Sequence, residues 1–375
     1  MQTGLDRIGA GLEPELEGQR IALLCNHTAV DRWGRHAAKV LQEVPGLSLV
    51  RLLGPEHGVW STHQDMESVQ GDGAIDPFLG VPTFSLYGDD AKSLTPREAL
   101  ISDVDAVVYD IQDIGTRFYT YAATLAFTME AAQRTGTKVI VLDRPNPIGS
   151  DIEGPLLTKG FESFCGIEPG LPIRHGMSVG ELARWYGERR APDCDFTVIE
   201  CDKNARPEWV PPSPNMPTRD TAYVYPGMCL LEGTTLSEGR GTTTPFLIYG
   251  APGIDPVALT RALRDYECPG VDFVPRVFRP EFGKHAGKAC GGAYLRVFDP
   301  TCLRTVALGV FCLDAVRRVA PEALAWRTEA YEFVEDVPAI DLLWGSTDLR
   351  ESLEAGANVE ALIKRGQDTL VDFKR

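Results

Sequence analysis

Four short apolar runs constrain the fold of this chain most strongly. They are RIALLC at 20–25, LSLVRLL at 47–53, DAVVYDIQ at 105–112 and KVIVL at 138–142. Runs of this length are typical of strands that are buried on both faces of a parallel sheet. A helix with apolar spacing at Ala37, Val40 and Leu41 is predicted between the first two runs, which makes a β-α-β unit. The sequence therefore predicts an α/β fold with a parallel sheet.

The length of the chain and a change of pattern along it predict two domains. The chain has 375 residues, which is long for one hydrophobic core. Beyond about residue 160 the regular alternation of strands and helices loosens. Capped helices and strands near 271–279 and 292–298 then indicate a mixed unit. We expect a parallel-sheet α/β domain over 1–160 and an α+β domain over 161–375.

The charge of the chain disfavours nucleic acid as a partner. Acidic residues number 53 and basic residues 37, so the formal net charge is −16 and most of the surface repels phosphate. No apolar run approaches the roughly 18 residues of a membrane span, and the first ten residues do not resemble a signal peptide. As written, the chain is expected to be cytoplasmic, or exported if a leader has been removed. A small neutral or anionic molecule is the expected partner.

The sequence lacks the motifs of nucleotide cofactors and of metal sites. The turn at 26–29 after the first strand has no glycine, whereas a dinucleotide site needs G-x-G-x-x-G. Neither Gly283-Lys284 nor Gly287-Lys288 is followed by Ser or Thr, as a Walker A motif requires. The nine cysteines form no C-x-x-C pair, and His57 and His63 do not form H-E-x-x-H. We expect no cofactor and no metal.

Polar side chains follow three of the predicted strands where those strands end. Glu56 and His57 follow the second run, the cluster 110–117 follows the third, and the cluster 143–146 follows the fourth. In open α/β sheets, ligands bind in the crevice beyond the carboxyl ends of the strands. Glu56 alone could equally cap a loop, but three polar strand ends at one edge of a sheet predict a cleft.

A glycine-rich loop at 232–246 carries another set of polar groups. It holds Glu232, Glu238, Arg240 and six hydroxyl side chains. The backbone N–H groups of such a loop can surround an anion, and an arginine can clamp a carboxylate or phosphate. A solvated linker is the alternative interpretation.

The run from Gly176 to Gly180 matches the nucleophile elbow G-x-S-x-G. The preceding LPIRH is a poor strand, and Ser178 with Glu181 three residues later forms a helix capping box. Capping is the favoured interpretation. A serine hydrolase that uses Ser178 and His175 stays as a less favoured alternative.

Blocks of sequence in order from residue 21 to residue 350 resemble those of one bacterial family. They include CNHTAVD, GPEHG, YDIQDIGTRFYTY, DRPNPIG, PPSPNMPT and YPGMCLLEGTTLSEGRGTTTPF. The family is that of exo-acting β-N-acetylmuramidases, glycoside hydrolases of peptidoglycan turnover that were formerly a domain of unknown function. The resemblance implies a Rossmann-like N-terminal domain, a smaller C-terminal domain and an active-site cleft between them.

The resemblance also implies roles for individual residues. Glu56 falls on the glutamate of the E-H-G block and is expected to be the general acid/base, with Asp110 or Asp113, or a substrate acetamido group, as its partner. Arg117 or Arg240 would hold the lactyl carboxylate of muramic acid, since a guanidinium fork suits a carboxylate. The expected substrate-binding residues are Asn26, His57, Arg117, Tyr119, Tyr121, Asn146, Glu238 and Arg240.

The expected activity is release of terminal N-acetylmuramic acid, or a related amino sugar, from a muropeptide or other peptidoglycan fragment. The segment 59–67, which follows Glu56, departs from the family's pattern. This departure makes a related amino sugar the alternative substrate, and a non-catalytic amino-sugar-binding protein the alternative function.

Overall fold

The computed structural model describes residues 2–61, 72–88, 91–164, 166–202, 205 and 207–373. The strands are β1 Arg20–Cys25, β2 Ser48–Gly54, β3 Asp72–Ile75, β4 Pro82–Ser85, β5 Ala106–Asp110, β6 Lys138–Leu142, β7 Glu153–Leu156, β8 Pro172–Arg174, β9 Phe196–Ile199, β10 Ile248–Ala251, β11 Val271–Phe278 and β12 Cys290–Val297. The α-helices are α1 Gly4–Gly9, α2 Ala37–Gln42, α3 Thr120–Thr135, α4 Val179–Arg190, α5 Arg219–Met228, α6 Pro256–Leu263, α7 Thr305–Val319, α8 Ala339–Trp344, α9 Asp348–Glu354 and α10 Val359–Asp368.

A seven-stranded sheet with the order β3-β4-β2-β1-β5-β6-β9 forms the N-terminal part. All of its neighbouring strands pair in parallel except β3 with β4. The four apolar runs of the sequence are β2, β1, β5 and β6 at its centre. The predicted α/β class with a parallel sheet is therefore confirmed.

The side chains of the central strands divide between two hydrophobic clusters, one on each face of the sheet. Leu23 of β1 packs in the same cluster as Leu5 of α1 and Val40 of α2, whereas Leu24 packs in the cluster that holds Leu125 of α3. Successive strand residues point to opposite faces, so an uninterrupted apolar run buries side chains on both. Helices thus cover both faces and leave the ends of the strands for a site.

The chain order of the strands reverses between β1 and β5. After β1 the chain adds β2, β3 and β4 on one side of β1. It then crosses to the other side of β1 and adds β5, β6 and β9. In open α/β sheets the crevice at such a switch point lies beyond the carboxyl ends of the strands. This topology places the loops after β1, β2, β5 and β6 along one edge.

Residues 219–373 form a second unit around a three-stranded antiparallel sheet of order β10-β12-β11. Helix α6 packs beside this sheet, α7 packs on α6, and α5 packs on α7. That last contact is close, because a Cβ atom on Gly227 of α5 would overlap the carbonyl oxygen of Thr305 in α7. Glycine is therefore required where the two helices meet.

The N-terminal sheet continues past the boundary that we predicted at residues 160 and 161. Its edge strand β9 pairs in parallel with β6, and α4, which precedes β9, packs on β6. The exact division into 1–160 and 161–375 stays a prediction. No helix in the described ranges combines the length and the apolar character that a membrane crossing needs.

Candidate active site

A cleft opens where the carboxyl end of β2 and the start of α3 meet the C-terminal unit. The N-terminal sheet and its loops supply Glu56, His57 and the run 118–121. The C-terminal unit supplies Tyr225, Glu232, Arg240, Phe246, Tyr331 and Glu332. The empty space in the cleft, with the open solvent at its mouth included, is about 590 Å³.

Glu56 lies two residues after the end of β2 and is only 5% exposed. Its carboxylate accepts a hydrogen bond from the hydroxyl of Thr120, the first residue of α3. The N-terminal end of a helix favours negative charge, and the α3 N-cap residue Tyr119 makes no side-chain capping bond there. The fold therefore fixes a buried carboxylate at the N-terminus of a sixteen-residue helix.

The next residue, His57, is buried and has a φ angle of +66°. Two other non-glycine residues that line the cleft share this left-handed conformation, namely Phe246 at +62° and Glu332 at +51°. Such backbone costs free energy in an L-residue and is concentrated at functional sites. The strain marks this cleft as a site whose geometry is imposed by the surrounding structure.

Aromatic rings form one wall of the cleft. Tyr119 meets Tyr121 edge to face at 5.0 Å and Tyr225 at 5.8 Å, and Tyr225 meets Phe246 at 4.8 Å. Burial raises the pKa of Tyr119, Tyr121 and Tyr225, so their hydroxyl groups stay protonated. The wall offers apolar faces and neutral hydroxyls to a ligand.

Charged side chains line the cleft next to the aromatic rings. Arg240 Nη1 lies 2.7 Å from Glu232 Oε1, and the Arg240 guanidinium stands 5.1 Å from the centre of the Phe246 ring. Glu238 does not line the cleft; it lies behind Arg240 and bonds Lys284 at 3.0 Å. Burial alone would raise the pKa of Glu238, but the cations Lys284 and Arg240 outweigh it and lower that pKa.

Two expected catalytic carboxylates are engaged away from the cleft. Asp110 is fully buried and forms a two-pronged ion pair with Arg144, at 2.5 and 2.9 Å. Asp113 accepts from the backbone N–H of Gly115 at 2.6 Å and lies 3.3 Å from His175 Nε2. Neither aspartate is among the described residues that line the cleft.

Three expected binding residues also have structural partners. Arg117 is 1% exposed and donates to the carbonyl oxygens of Pro155, Leu171, Leu343 and Trp344 at 2.8 to 3.1 Å. Burial lowers its pKa to about 9, so it stays charged at neutral pH. Asn26 orders the turn after β1 by accepting from Thr28, and Asn146 bonds the backbone of 148 and 177.

Of the expected site residues, the cleft brings together Glu56, His57, Tyr119, Tyr121 and Arg240. Sequence reasoning gave no role to Glu332 and Phe246, and it noted Glu232 only as part of the glycine-rich loop. No local signal identifies Phe246 or Glu332, because left-handed backbone at a non-glycine residue cannot be seen in a sequence. His63, one of the two histidines considered for a metal site, lies outside the described residues.

The proposed nucleophile of a serine hydrolase is a helix cap. Ser178 accepts from the backbone N–H of Glu181 at 3.2 Å, and the Glu181 carboxylate accepts from the Ser178 N–H at 2.8 Å. His175 accepts from the N–H of Met177 through Nδ1, and its Nε2 faces Asp113. The hydroxyl and the imidazole are thus engaged in separate contacts, as capping predicts.

Comparison with known proteins gives a match across the chain. Residues 21–220 match the family model for the N-terminal domain of exo-β-N-acetylmuramidase NamZ, and residues 223–375 match its C-terminal domain. The peptidoglycan β-N-acetylmuramidase NamZ of Bacillus subtilis (strain 168) is 38% identical over 384 residues, which cover 100% of this chain and 89% of that protein.

Two solved structures of DUF1343 family proteins from Bacteroides fragilis NCTC 9343 share the fold. One has a TM-score of 0.85 at 29% identity and covers 100% of this chain and 98% of that one. The other has a TM-score of 0.76 at 31% identity, with coverage of 99% and 96%. Both units of this chain therefore have counterparts in single proteins of known structure.

Proposed function

Because the chain belongs to the exo-β-N-acetylmuramidase NamZ family, we propose that it is a glycoside hydrolase that releases terminal N-acetylmuramic acid from peptidoglycan fragments. The observation that carries this proposal is the buried Glu56 carboxylate at the start of α3, inside a cleft with an aromatic wall and an arginine. Glycoside cleavage needs a carboxyl group that can protonate the leaving oxygen.

Glu56 is assigned the role of general acid/base. Its bond from Thr120 fixes the carboxyl group, so the group needs no reordering when a glycosidic oxygen arrives. Glu56 gives its proton to the leaving oxygen as the glycosidic bond breaks. In a retaining reaction the second carboxylate or the substrate acetamido oxygen bonds the anomeric carbon, and Glu56 then takes a proton from the water that displaces it. The aromatic wall of Tyr119, Tyr121 and Tyr225 holds the sugar ring beside it.

Glu232 is the better candidate for the second carboxylate, in place of Asp110 or Asp113. It lines the same cleft as Glu56, accepts from the Tyr331 hydroxyl at 2.9 Å and pairs with Arg240. A nearby guanidinium favours the ionised carboxylate, which can stabilise positive charge that develops on the sugar. The acetamido group of the substrate is the alternative partner.

Arg240 is assigned to the lactyl carboxylate of muramic acid. A guanidinium has five N–H donors in a fixed fork, so one arginine can hold Glu232 and a substrate carboxylate together. Arg117, the other expected clamp, donates its hydrogen bonds to four backbone carbonyls.

The cytoplasmic location and the lack of a nucleic-acid partner stay predictions.

The test is turnover of a chromogenic β-N-acetylmuraminide by Glu56→Gln. Loss of a general acid/base should lower kcat by about 10²- to 10⁴-fold, while the far-UV spectrum and the melting temperature stay close to those of the parent. Glu188→Gln is the matched control, since Glu188 is 79% exposed on α4. Near-parental turnover by Glu56→Gln would remove Glu56 from the mechanism. Sugar binding without any turnover by the parent would favour the amino-sugar-binding alternative.

A further inference from the structure

A second cavity lies at the switch point of the sheet, beside the cleft. Thr28 follows β1, Gln112 follows β5 and Asn146 follows β6, and all three line it. Its empty space is about 1390 Å³ measured to its open mouth, more than twice that of the cleft. Open α/β sheets bind ligands at this position. The proposed catalytic cleft opens beyond β2 instead, so the proposed hydrolysis leaves this cavity without a role.

The proline-rich segment 207–213 separates the two cavities. Its Trp209 lines the second cavity and its Ser213 lines the cleft. The segment is fixed to α3, because the Tyr121 hydroxyl donates to the carbonyl oxygen of Pro212 at 2.7 Å. The two cavities have no lining residue in common among the described residues.

Most charged groups around the second cavity already have partners of opposite charge. The pairs are Asp6 with Arg32 at 3.5 Å, Asp31 with Arg35 at 2.8 Å and Arg144 with Asp110 at 2.5 Å. The other charged residues that line it, Glu208 and Arg219, have opposite signs. A cavity with no excess of either charge suits an uncharged polar ligand better than a phosphate or a carboxylate.

Trp209 gives this cavity a surface typical of sugar recognition. The guanidinium of Arg219 lies 5.7 Å from the centre of the Trp209 ring, and its Nη2 donates to the carbonyl oxygen of Pro207 at 2.9 Å. Trp209 is half-buried, and its ring rather than its shielded indole N–H lines the cavity. An aromatic ring offers an apolar face for the C–H groups of a pyranose.

We propose that the switch-point cavity is a second, non-catalytic saccharide site that binds uncharged N-acetylated hexosamine units, with Trp209 as its platform. The choice of this sugar class rests on the proposed function, since a peptidoglycan glycan carries such units next to muramic acid. The site would hold glycan while the cleft acts on a chain end. Binding there is independent of occupancy of the cleft.

Calorimetric titration of the Glu56→Gln protein with the β-1,4-linked tetrasaccharide of N-acetylglucosamine tests this independence. We expect binding whose Kd changes by less than about threefold when the cleft is saturated with N-acetylmuramic acid, because the two cavities are separated by residues 207–213. Complete displacement by N-acetylmuramic acid, or no binding of the tetrasaccharide, would overturn the proposal.

Variants of Trp209 test whether the tetrasaccharide binds in the switch-point cavity. Trp209→Ala should weaken tetrasaccharide binding by at least about tenfold, and Trp209→Phe should restore most of it because an aromatic face remains. Phe298→Ala is the matched control, an aromatic residue that is 67% exposed in the C-terminal unit. Equal affinity in Trp209→Ala and the parent would place the sugar elsewhere and overturn the assignment.

The two proposals fail in different ways. Absence of muraminide turnover by the parent protein would reject the proposed hydrolysis but would not change the tetrasaccharide titration. Turnover by the parent together with absent or Trp209-independent tetrasaccharide binding would reject the second site and leave the proposed hydrolysis intact.

Discussion

At the scale of single residues, two arginines show how surroundings decide what a side chain can do. Arg117 is enclosed by four backbone carbonyls, which stabilise its charge and use its donors. Arg240 pairs with Glu232 and lines the cleft. Both belong to sequence blocks that suggest anion binding, but of the two only Arg240 lines the cleft.

Arg240→Lys tests the carboxylate clamp. A lysine keeps the charge but cannot offer two parallel N–H donors, so kcat/KM for a β-N-acetylmuraminide should fall by about 10- to 100-fold. The matching β-N-acetylglucosaminide lacks the lactyl carboxylate, and any residual turnover of it should change much less. Arg279→Lys, at an arginine that is 64% exposed, is the control. Equal losses on both substrates would argue against the clamp.

At the scale of secondary-structure elements, the loops and helix ends are held by polar pairs that local sequence only partly reveals. The capping box of Ser178 and Glu181 starts α4, which packs on α3 and on the edge of the sheet. The glycine-rich loop 232–246 is instead fixed by Lys284, which is distant in sequence and bonds both Glu238 and the carbonyl oxygen of Leu231.

Ser178→Ala separates capping from catalysis. Loss of the cap should lower the free energy of unfolding by about 1 kcal/mol and leave muraminide turnover unchanged. Ser178→Asp keeps a capping oxygen without a nucleophilic hydroxyl, so it should retain both stability and turnover. Urea unfolding and steady-state kinetics measure the two effects. A tenfold or larger loss of turnover in both variants would revive the serine-hydrolase alternative.

Lys284→Met tests whether the Lys284–Glu238 pair stabilises the loop, through the pH dependence of the free energy of unfolding. The pKa of Glu238 is lowered from 4.5, so its ionised form stabilises the fold above about pH 4.5 and this contribution is lost as the pH falls through the native pKa. Removing Lys284 should cost about 2 to 4 kcal/mol at pH 7. The difference from the parent should narrow in acid, where Glu238 is neutral in both proteins.

Urea unfolding between pH 3 and pH 7 measures this effect. Lys288→Met serves as the control, since Lys288 lies on the same irregular segment but outside the Glu238 contact. A stability difference that stays constant over this pH range would show that the Lys284–Glu238 pair is not responsible.

At the scale of the whole molecule, the two units are joined through shared interior. One hydrophobic cluster includes Leu24 and Val107 of the N-terminal sheet and also Phe311 and Ile363 of the C-terminal helices. The guanidinium of Arg117 adds polar bonds across the same junction, to α8 on one side and to the carbonyls of Pro155 and Leu171 on the other. We expect the two units to unfold together.

Arg117→Met tests this coupling. The substitution removes the guanidinium from four carbonyl oxygens, of which that of Leu171 keeps the N–H of Leu157 as a donor, and should cost about 3 to 5 kcal/mol. In scanning calorimetry the parent should show one transition with equal calorimetric and van't Hoff enthalpies, whereas the variant should show a lower and broader or divided transition. A parental melting temperature in Arg117→Met would contradict the structural role.

The sequence predicts local features of the structure well. Apolar runs identify β1, β2, β5 and β6 because burial on both faces of a parallel sheet leaves that pattern, and Glu56 stands out because it directly follows such a run. The partners across the cleft were not predictable in this way. Glu232 and Glu332 are more than 170 residues from Glu56 in sequence, and only tertiary packing brings them to the same space. The burial of Asp110 with Arg144 likewise depends on two separate strands.

The left-handed backbone of His57, Phe246 and Glu332 has a consequence for how this protein can change over generations. At Phe246, which is 1% exposed, glycine would relieve the backbone but would also remove a buried ring whose loss costs about 3 to 5 kcal/mol. Packing therefore holds this residue in its costly conformation, and any route that removes it passes through less stable proteins.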